Sequence, residues 1–183
     1  MTCSLVVNSK SGNTRMVSGA IKRALQTAGV EFIHAAALSD DADADQVALE
    51  AQGACAADTV LVGFWCDKGA CTPSVAALLS ALHGKRVFLF GTCGFGASEE
   101  YFRQIIDRVT SNLANDAELA GWAMCQGKMG PAVKQRYEAM LEQDPENARY
   151  KMLLDNWFAA KDHPTKEDLG NMAAAAKKAV LGE

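Results

Sequence analysis

Three apolar runs limit what this chain can become: residues 3–8 (CSLVVN), 59–65 (TVLVGFW) and 86–90 (RVFLF). Each has the length of a strand. A strand that faces water on one side alternates apolar and polar residues, whereas one covered on both faces reads as a continuous apolar run. Between the runs lie stretches with apolar residues at helical spacing. Met16, Val17, Ala20, Ile21, Ala24 and Leu25 form one such stripe, which Gly29 ends. Residues 30–35 (VEFIHA) and 118–125 (ELAGWAMC) read as two further strands. After the acidic turn from Ser39 to Asp45 a weak helix runs to about Ala57. Pro73 opens a short helix through Leu82, and another covers Glu99 to Leu113. Strand and helix alternate through five strands, which predicts an α/β fold: a parallel sheet with helices on both faces.

The last third reads as helical. Pro131 sits near the start of a helix carrying Val133, Tyr137, Met140 and Leu141. A second stretch places Tyr150, Leu153, Leu154 and Trp157 at helical spacing. The final helix follows His163-Pro164, with Thr165 and Asp168 spaced as a capping box and a stripe of Leu169, Met172, Ala173, Ala176 and Val180. The expectation is one domain over residues 1–183. The final helix completes its α/β layers, and 127–163 form a helical insertion before it.

Several function classes are disfavoured. A net charge of -4, with no basic stripe interleaved with aromatics, argues against nucleic acid. No apolar run approaches the ~20 residues that span a bilayer. The first residues lack the basic segment of a signal peptide, so a cytoplasmic location is expected. The acidity would suit a basic protein partner, although many cytosolic chains share it. The six cysteines are scattered and are expected as reduced thiols. Four residues separate Cys66 from Cys71 and no second pair follows, so no metal site is expected. His34, His83 and His163 have no ligand spacing.

Ligands of open parallel sheets bind beyond the carboxyl ends of the strands, where the strand order switches. The loop after the first strand is Ser9-Lys10-Ser11-Gly12-Asn13-Thr14. Unpaired amides at a helix N-terminus, together with the helix dipole, attract an anion. Gly12 permits close backbone approach, and the hydroxyls of Ser9, Ser11 and Thr14 can donate to phosphate oxygens. The plainer reading is that these residues cap a helix. Rival phosphate sites are missing: there is no G-x-x-x-x-G-K-(S/T) string and no G-x-G-x-x-G here. Phe64-Trp65 stand where a receiver domain needs an aspartate. No arginine follows Cys93 near Ser98-Glu99, where a cysteine phosphatase would place one.

The string Ser9 to Thr14 resembles the (T/S)-x-(T/S)-G-x-T phosphate loop of flavodoxins. The resemblance extends over the five-strand alternation in most of residues 1–126, and DHPTKEDLGN with its alanine-rich helix resembles the end of such proteins. A narrower resemblance is to the small flavodoxin-like accessory proteins of anaerobes, such as the one paired with bilirubin reductase. The family resemblance implies a three-layer sandwich with strand order 2-1-3-4-5 and FMN as cofactor. It assigns the phosphate to Ser9, Lys10, Ser11, Gly12, Asn13 and Thr14. It places the flavin ring between the loops after strands three and four. There Trp65 and Phe95 would stack on the ring, with Tyr101 in reserve, and Cys66, Thr92 and Cys93 would lie close by. Gly69, Gly94 and Gly96 would let backbone amides approach it. Phe64 is expected in the core.

No acid, base or nucleophile cluster stands out in these loops. The expected function is therefore FMN-based electron transfer to a partner reductase, by a monomer or homodimer. Acidic groups that disfavour an anionic reduced flavin would help to set its potential. One alternative is an FMN-dependent NAD(P)H:quinone or tetrapyrrole reductase, in which 127–163 forms a lid or dimer surface bearing Trp157 and Phe158. Another is a flavin-free interaction module on the same fold.

Overall fold

The computed structural model describes residues 1–182. Five strands, β1 (Thr2–Val7), β2 (Glu31–Ala37), β3 (Thr59–Trp65), β4 (Arg86–Cys93) and β5 (Glu118–Gln126), form one sheet in the order β2-β1-β3-β4-β5. All four pairings are parallel. The helices are α1 (Asn13–Thr27), α2 (Ala44–Ala54), α3 (Pro73–Ser80), α4 (Glu99–Thr110), α5 (Pro131–Gln143), α6 (Ala148–Ala160) and α7 (Lys166–Leu181). The α/β class and strand order are those the sequence implied.

The twofold period of the strands divides the core into two layers. Leu5, Val7, Leu61, Phe88 and Phe90 pack against Val17 and Ile21 of α1 and Met172 and Ala176 of α7. Val6, Val60, Val62, Phe64 and Leu89 point the other way, onto Val47 of α2, Leu78 of α3 and Ile105 of α4. With both faces covered, β3 is buried at every position but its last, which is why its sequence does not alternate. Edge strand β2 alternates exposed and half-buried residues instead.

One boundary differs from expectation in a way that matters. Strand β4 continues through Gly91, Thr92 and Cys93, which the sequence assigned to a glycine-rich loop. These three residues pair with Met124, Cys125 and Gln126 of β5. That ladder keeps them extended against their turn-forming composition, so Thr92 and Cys93 sit on a rigid strand end. Helices α5 and α6 pack on each other within the expected insertion. Asn156 of α6 fastens them to the sheet end: its Nδ2 donates to Gly94 O (2.9 Å), and its Oδ1 accepts from Gly96 N (2.9 Å) and Gln126 Nε2 (3.3 Å). The expected capping box of α7 is present, with Thr165 accepting from the Asp168 amide at 3.1 Å.

Candidate cofactor site

A cavity of about 610 Å³ opens beyond the carboxyl ends of β1, β3, β4 and β5, within the size range of small-molecule and cofactor sites. Its floor is the loop before α1. Gly12 adopts φ 90°, a left-handed conformation that L side chains disfavour. This turn starts α1 with no side-chain cap and no acidic residue in the first turn. In contrast, α2, α4, α6 and α7 are capped by Asp43, Ser98, Asn147 and Thr165, while α3 and α5 lack a side-chain cap and open on Pro73 and Pro131. Ser9 Oγ meets the first-turn amide of Arg15, and the amides of Asn13 and Thr14 remain with the positive dipole end that binds anions.

Lys10, Ser11 and Asn13 line the cavity. Ser11 Oγ accepts from Asn13 Nδ2 at 3.1 Å, which leaves the Ser11 proton to donate elsewhere. Asn13 Nδ2 also donates to Lys128 O at 2.9 Å, while Asn13 Oδ1 is buried without a partner among the described residues. Such an unmatched acceptor costs about 1–3 kcal/mol. Ser9, Gly12 and Thr14 do not line the cavity. Ser9 Oγ accepts from the Arg15 amide at 3.2 Å, and fully buried Thr14 pairs its hydroxyl with that of Thr92 at 2.9 Å. Thr92 does reach the cavity, so Thr14 acts behind it by orienting that hydroxyl.

The walls carry aromatic rings. Trp65 is fixed by Nε1 donating to Asp40 Oδ1 at 2.8 Å, and Lys10 Nζ lies 4.7 Å from its ring centroid. Phe95 meets Tyr101 edge-on with centroids 6.0 Å apart. All three rings line the cavity. The turn after β3 has positive φ at Lys68 (50°) and Gly69 (84°), closed by reciprocal Asp67–Ala70 backbone bonds of 2.8 and 3.0 Å. Arg108 of α4 clamps it by donating to Gly69 O at 3.0 Å.

Gly94 lines the cavity, whereas Gly96 serves another end than the one expected. A Cβ on Gly94 would stand 2.6 Å from Met129 Cγ, so its missing side chain admits Met129. Gly96 does not line the cavity. Its N–H is taken by Asn156, and a Cβ there would meet the Tyr101 ring at 2.8 Å. Gly96 is therefore corrected from a ring-facing donor to the anchor of the insertion.

Sequence reasoning missed a whole side of the site. Gly127, Lys128, Met129 and Gly130 follow β5 and line the cavity with Val133, Arg136 and Tyr137 of α5. Gly127 is needed because a Cβ would lie 2.7 Å from Asn13 Nδ2. No motif marks this segment. The one available signal was its position at a fourth strand's carboxyl end. The lid candidates Trp157 and Phe158 pack edge-on against each other (5.3 Å) and do not line the cavity.

The charge pattern was also unforeseen. Lys10, Lys68, Arg108, Lys128 and Arg136 line the cavity, and among the described residues no carboxylate does. Among the thiols, Cys66 and Cys93 line it, and they interact with each other. Hydrogen bonding from Cys66 outweighs burial and, with the Phe95 backbone and Tyr101, lowers Cys93 to about 7; Cys66 is pushed up in turn. Burial, reinforced by Cys93, raises Tyr101 to about 12. Burial alone raises Cys71 to about 11, and Cys71 does not line the cavity.

A parallel five-stranded sheet with an uncapped first helix facing an aromatic cavity defines the flavodoxin class, and the chain belongs to that family. A family model described as a flavodoxin domain matches residues 4–177. More particularly, the chain is 33% identical over 176 residues to the flavodoxin-like domain-containing protein BilS of Clostridium symbiosum (strain WAL-14163), a match covering 92% of this chain and 90% of that one. It is 32% identical over 124 residues to the protein of the same description from Clostridioides difficile (strain CD3), covering 68% and 70%. Oxidised flavodoxin 2 from Bacillus cereus superposes with a TM-score of 0.53 at 16% identity over 99% of each chain, which speaks to fold. Among the described residues, no helix is long and apolar enough to cross a membrane.

Proposed function

We propose that this chain binds FMN in the cavity and passes electrons to a partner reductase. The observation that carries the reading is the continuity of an uncapped helix N-terminus with an aromatic-walled cavity. The first amides of α1, at Asn13 and Thr14, and the Ser11 hydroxyl hold the phosphate. The buried Asn13 Oδ1, which lacks a donor among the described residues, accepts from a ribityl hydroxyl. Trp65 and Phe95 flank the ring, and Thr92, held by Thr14, offers a hydroxyl near it. Bound flavin supplies reversible one- and two-electron chemistry; the protein orients it and tunes its potential.

The tuning has the opposite sign to the sequence expectation. Acidic groups were expected near the flavin, yet the lining charges are all positive. Positive charge favours an anionic reduced ring. A chain of net charge -4 thus presents a basic mouth, which suits an acidic docking surface on the partner.

The first test is the absorbance spectrum of the purified protein before and after FMN is added. A protein that takes up no flavin would return the reading to an interaction module. The phosphate contact is then tested with Ser11→Ala, titrated with FMN and with riboflavin. A hydrogen bond to a charged acceptor contributes ~1.5–3 kcal/mol, so FMN should weaken by about tenfold to a hundredfold. Riboflavin, lacking the phosphate, should change little. Equal losses for both flavins would remove the phosphate role. A reductase acting on its own substrate is the second reading, favoured by the wall that α5 contributes. Sustained NAD(P)H oxidation by the pure protein with a quinone would support it over the carrier.

A further inference from the structure

Beyond flavin binding, the cavity wall holds two neighbouring thiols, Cys66 and Cys93. Trp65 and Thr92 are partners in the β3–β4 register, so Cys66 and Cys93 are each the next residue on adjacent chains. The parallel pattern continues past the end of β3, with Cys66 N donating to Thr92 O at 2.9 Å. Adjacent strands lie about 4.8 Å apart, inside the Cα separation of about 4.4–6.8 Å that a disulfide bridges. Both residues belong to one packed cluster, and both border the same cavity. Among the described residues all six cysteines are free thiols. Cys3 and Cys125 belong to the other core layer, and Cys55 and Cys71 lie off the cavity.

We propose that Cys66 and Cys93 are a redox-active dithiol in the cavity wall that closes to a disulfide on reaction with a small organic disulfide, such as oxidised glutathione. The thiolate is the attacking species in such exchange. Two neighbouring thiols release a first proton more readily than an isolated buried one, because the remaining S–H donates to the thiolate. Tyr101 adds a second donor toward Cys93. Cys66 is the more exposed member, since Cys93 is 4% exposed. The charge rests mainly on Cys93; in the minor form in which the Cys66 proton has passed to Cys93, the more exposed Cys66 carries it and attacks one sulfur of R–S–S–R. A mixed disulfide forms and R–S⁻ leaves, taking up a proton. Cys93 then loses its proton to water and attacks the Cys66 sulfur, expelling the second R–S⁻. Two protein thiols and one small disulfide become one protein disulfide and two small thiols. Two electrons and two protons leave the protein, and a dithiol reductant reverses the step.

The test uses the full chain as purified, whether or not flavin is bound. It is incubated with oxidised glutathione, quenched in acid, alkylated with N-ethylmaleimide and digested. Mass spectrometry should find the Cys66 and Cys93 peptides linked, at a mass lower by two hydrogens. Cys3, Cys55, Cys71 and Cys125 should remain alkylated, and dithiothreitol should restore both thiols. In Cys93→Ser the resolving thiol is gone, so a glutathione adduct should persist on Cys66. The wild-type measurement stands even if that variant fails to fold. A stable adduct on wild-type Cys66, a Cys66–Cys71 link, or full alkylation of all six cysteines would each overturn the proposal.

Discussion

Gly63 and Phe90 stand opposite each other across β3 and β4, and one step on Phe64 stands opposite Gly91. A Cβ on Gly63 would come within 2.4 Å of the Phe90 ring, and one on Gly91 within 2.7 Å of Phe64. Each glycine is thus a notch for the neighbouring strand's aromatic ring, one on each face of the sheet. Overpacking a close-packed core costs about 1–3 kcal/mol, so Gly63→Ala should be destabilised by that amount. For a chain of this size each kcal/mol lowers Tm by roughly 2–4 °C. Gly63→Ala combined with Phe90→Leu should lose less than the two single losses added together, because the smaller side chain vacates the notch. Strict additivity in thermal melts would show that the notch is not the cause. The sequence placed Phe64 in the core because it lies inside an unbroken apolar run. It could not show why Gly63 and Gly91 interrupt their strands, since that depends on register across two strands. The same gap explains Thr14 and Gly96: their residue types suit a phosphate loop and a ring-facing turn, but Thr92 and Asn156 engage their polar groups.

At the level of elements, the α/β alternation was legible because continuous burial and amphipathic spacing each leave a direct trace in sequence. Helices α5 and α6 were legible for the same reason. Their docking was not, because it runs through one asparagine in the middle of α6, a residue type common on exposed helix faces. Asn156 ties α6 to Gly94, Gly96 and Gln126, and Trp157 Nε1 adds a bond to Gly130 O at 3.3 Å. The face turned to the cavity is Val133, Arg136 and Tyr137 of α5 rather than the aromatic pair on α6. Asn156→Ala should therefore loosen the insertion while leaving the sheet intact. Amide exchange in α5 and α6 should quicken by at least about tenfold, given that each lost bond is worth ~0.5–1.5 kcal/mol. Exchange in β1, β3 and β4 should stay as in the parent protein. Flavin affinity should fall as well, because the α5 wall would no longer be held in place. Uniform acceleration across sheet and insertion would mean that Asn156 supports the global fold instead.

For the molecule as a whole, net charge was a poor guide because it averages over surfaces that do different things. Acidic residues outnumber basic ones, 22 to 18, yet the cavity gathers five cations from four separate segments and, among the described residues, no carboxylate. Lys10 precedes α1, Lys68 follows β3, Arg108 ends α4, and Lys128 and Arg136 follow β5. No local stretch is basic, so no window of sequence reveals the cluster; the sheet assembles it by bringing strand ends together. A field of this sign at a low-dielectric site stabilises added electrons and draws acidic surfaces toward the opening. Reversing one of these charges should weaken both effects together. In FMN-loaded protein, Lys68→Glu and Arg136→Glu should each lower the potential for the second electron, by about 30–60 mV. A one-electron shift of ~60 mV corresponds to a tenfold change in relative affinity for the reduced flavin. Lys22→Glu, over Phe32 and away from the cavity, should leave the potential where it is. The rate of reduction of an acidic acceptor should fall in the two rim variants, and added salt should narrow their difference from the parent chain, because exposed charges are screened over about 10 Å at 0.1 M. Potentials unmoved by either rim substitution would mean that the basic mouth serves docking alone, whereas a salt-insensitive rate would mean that it serves the flavin alone.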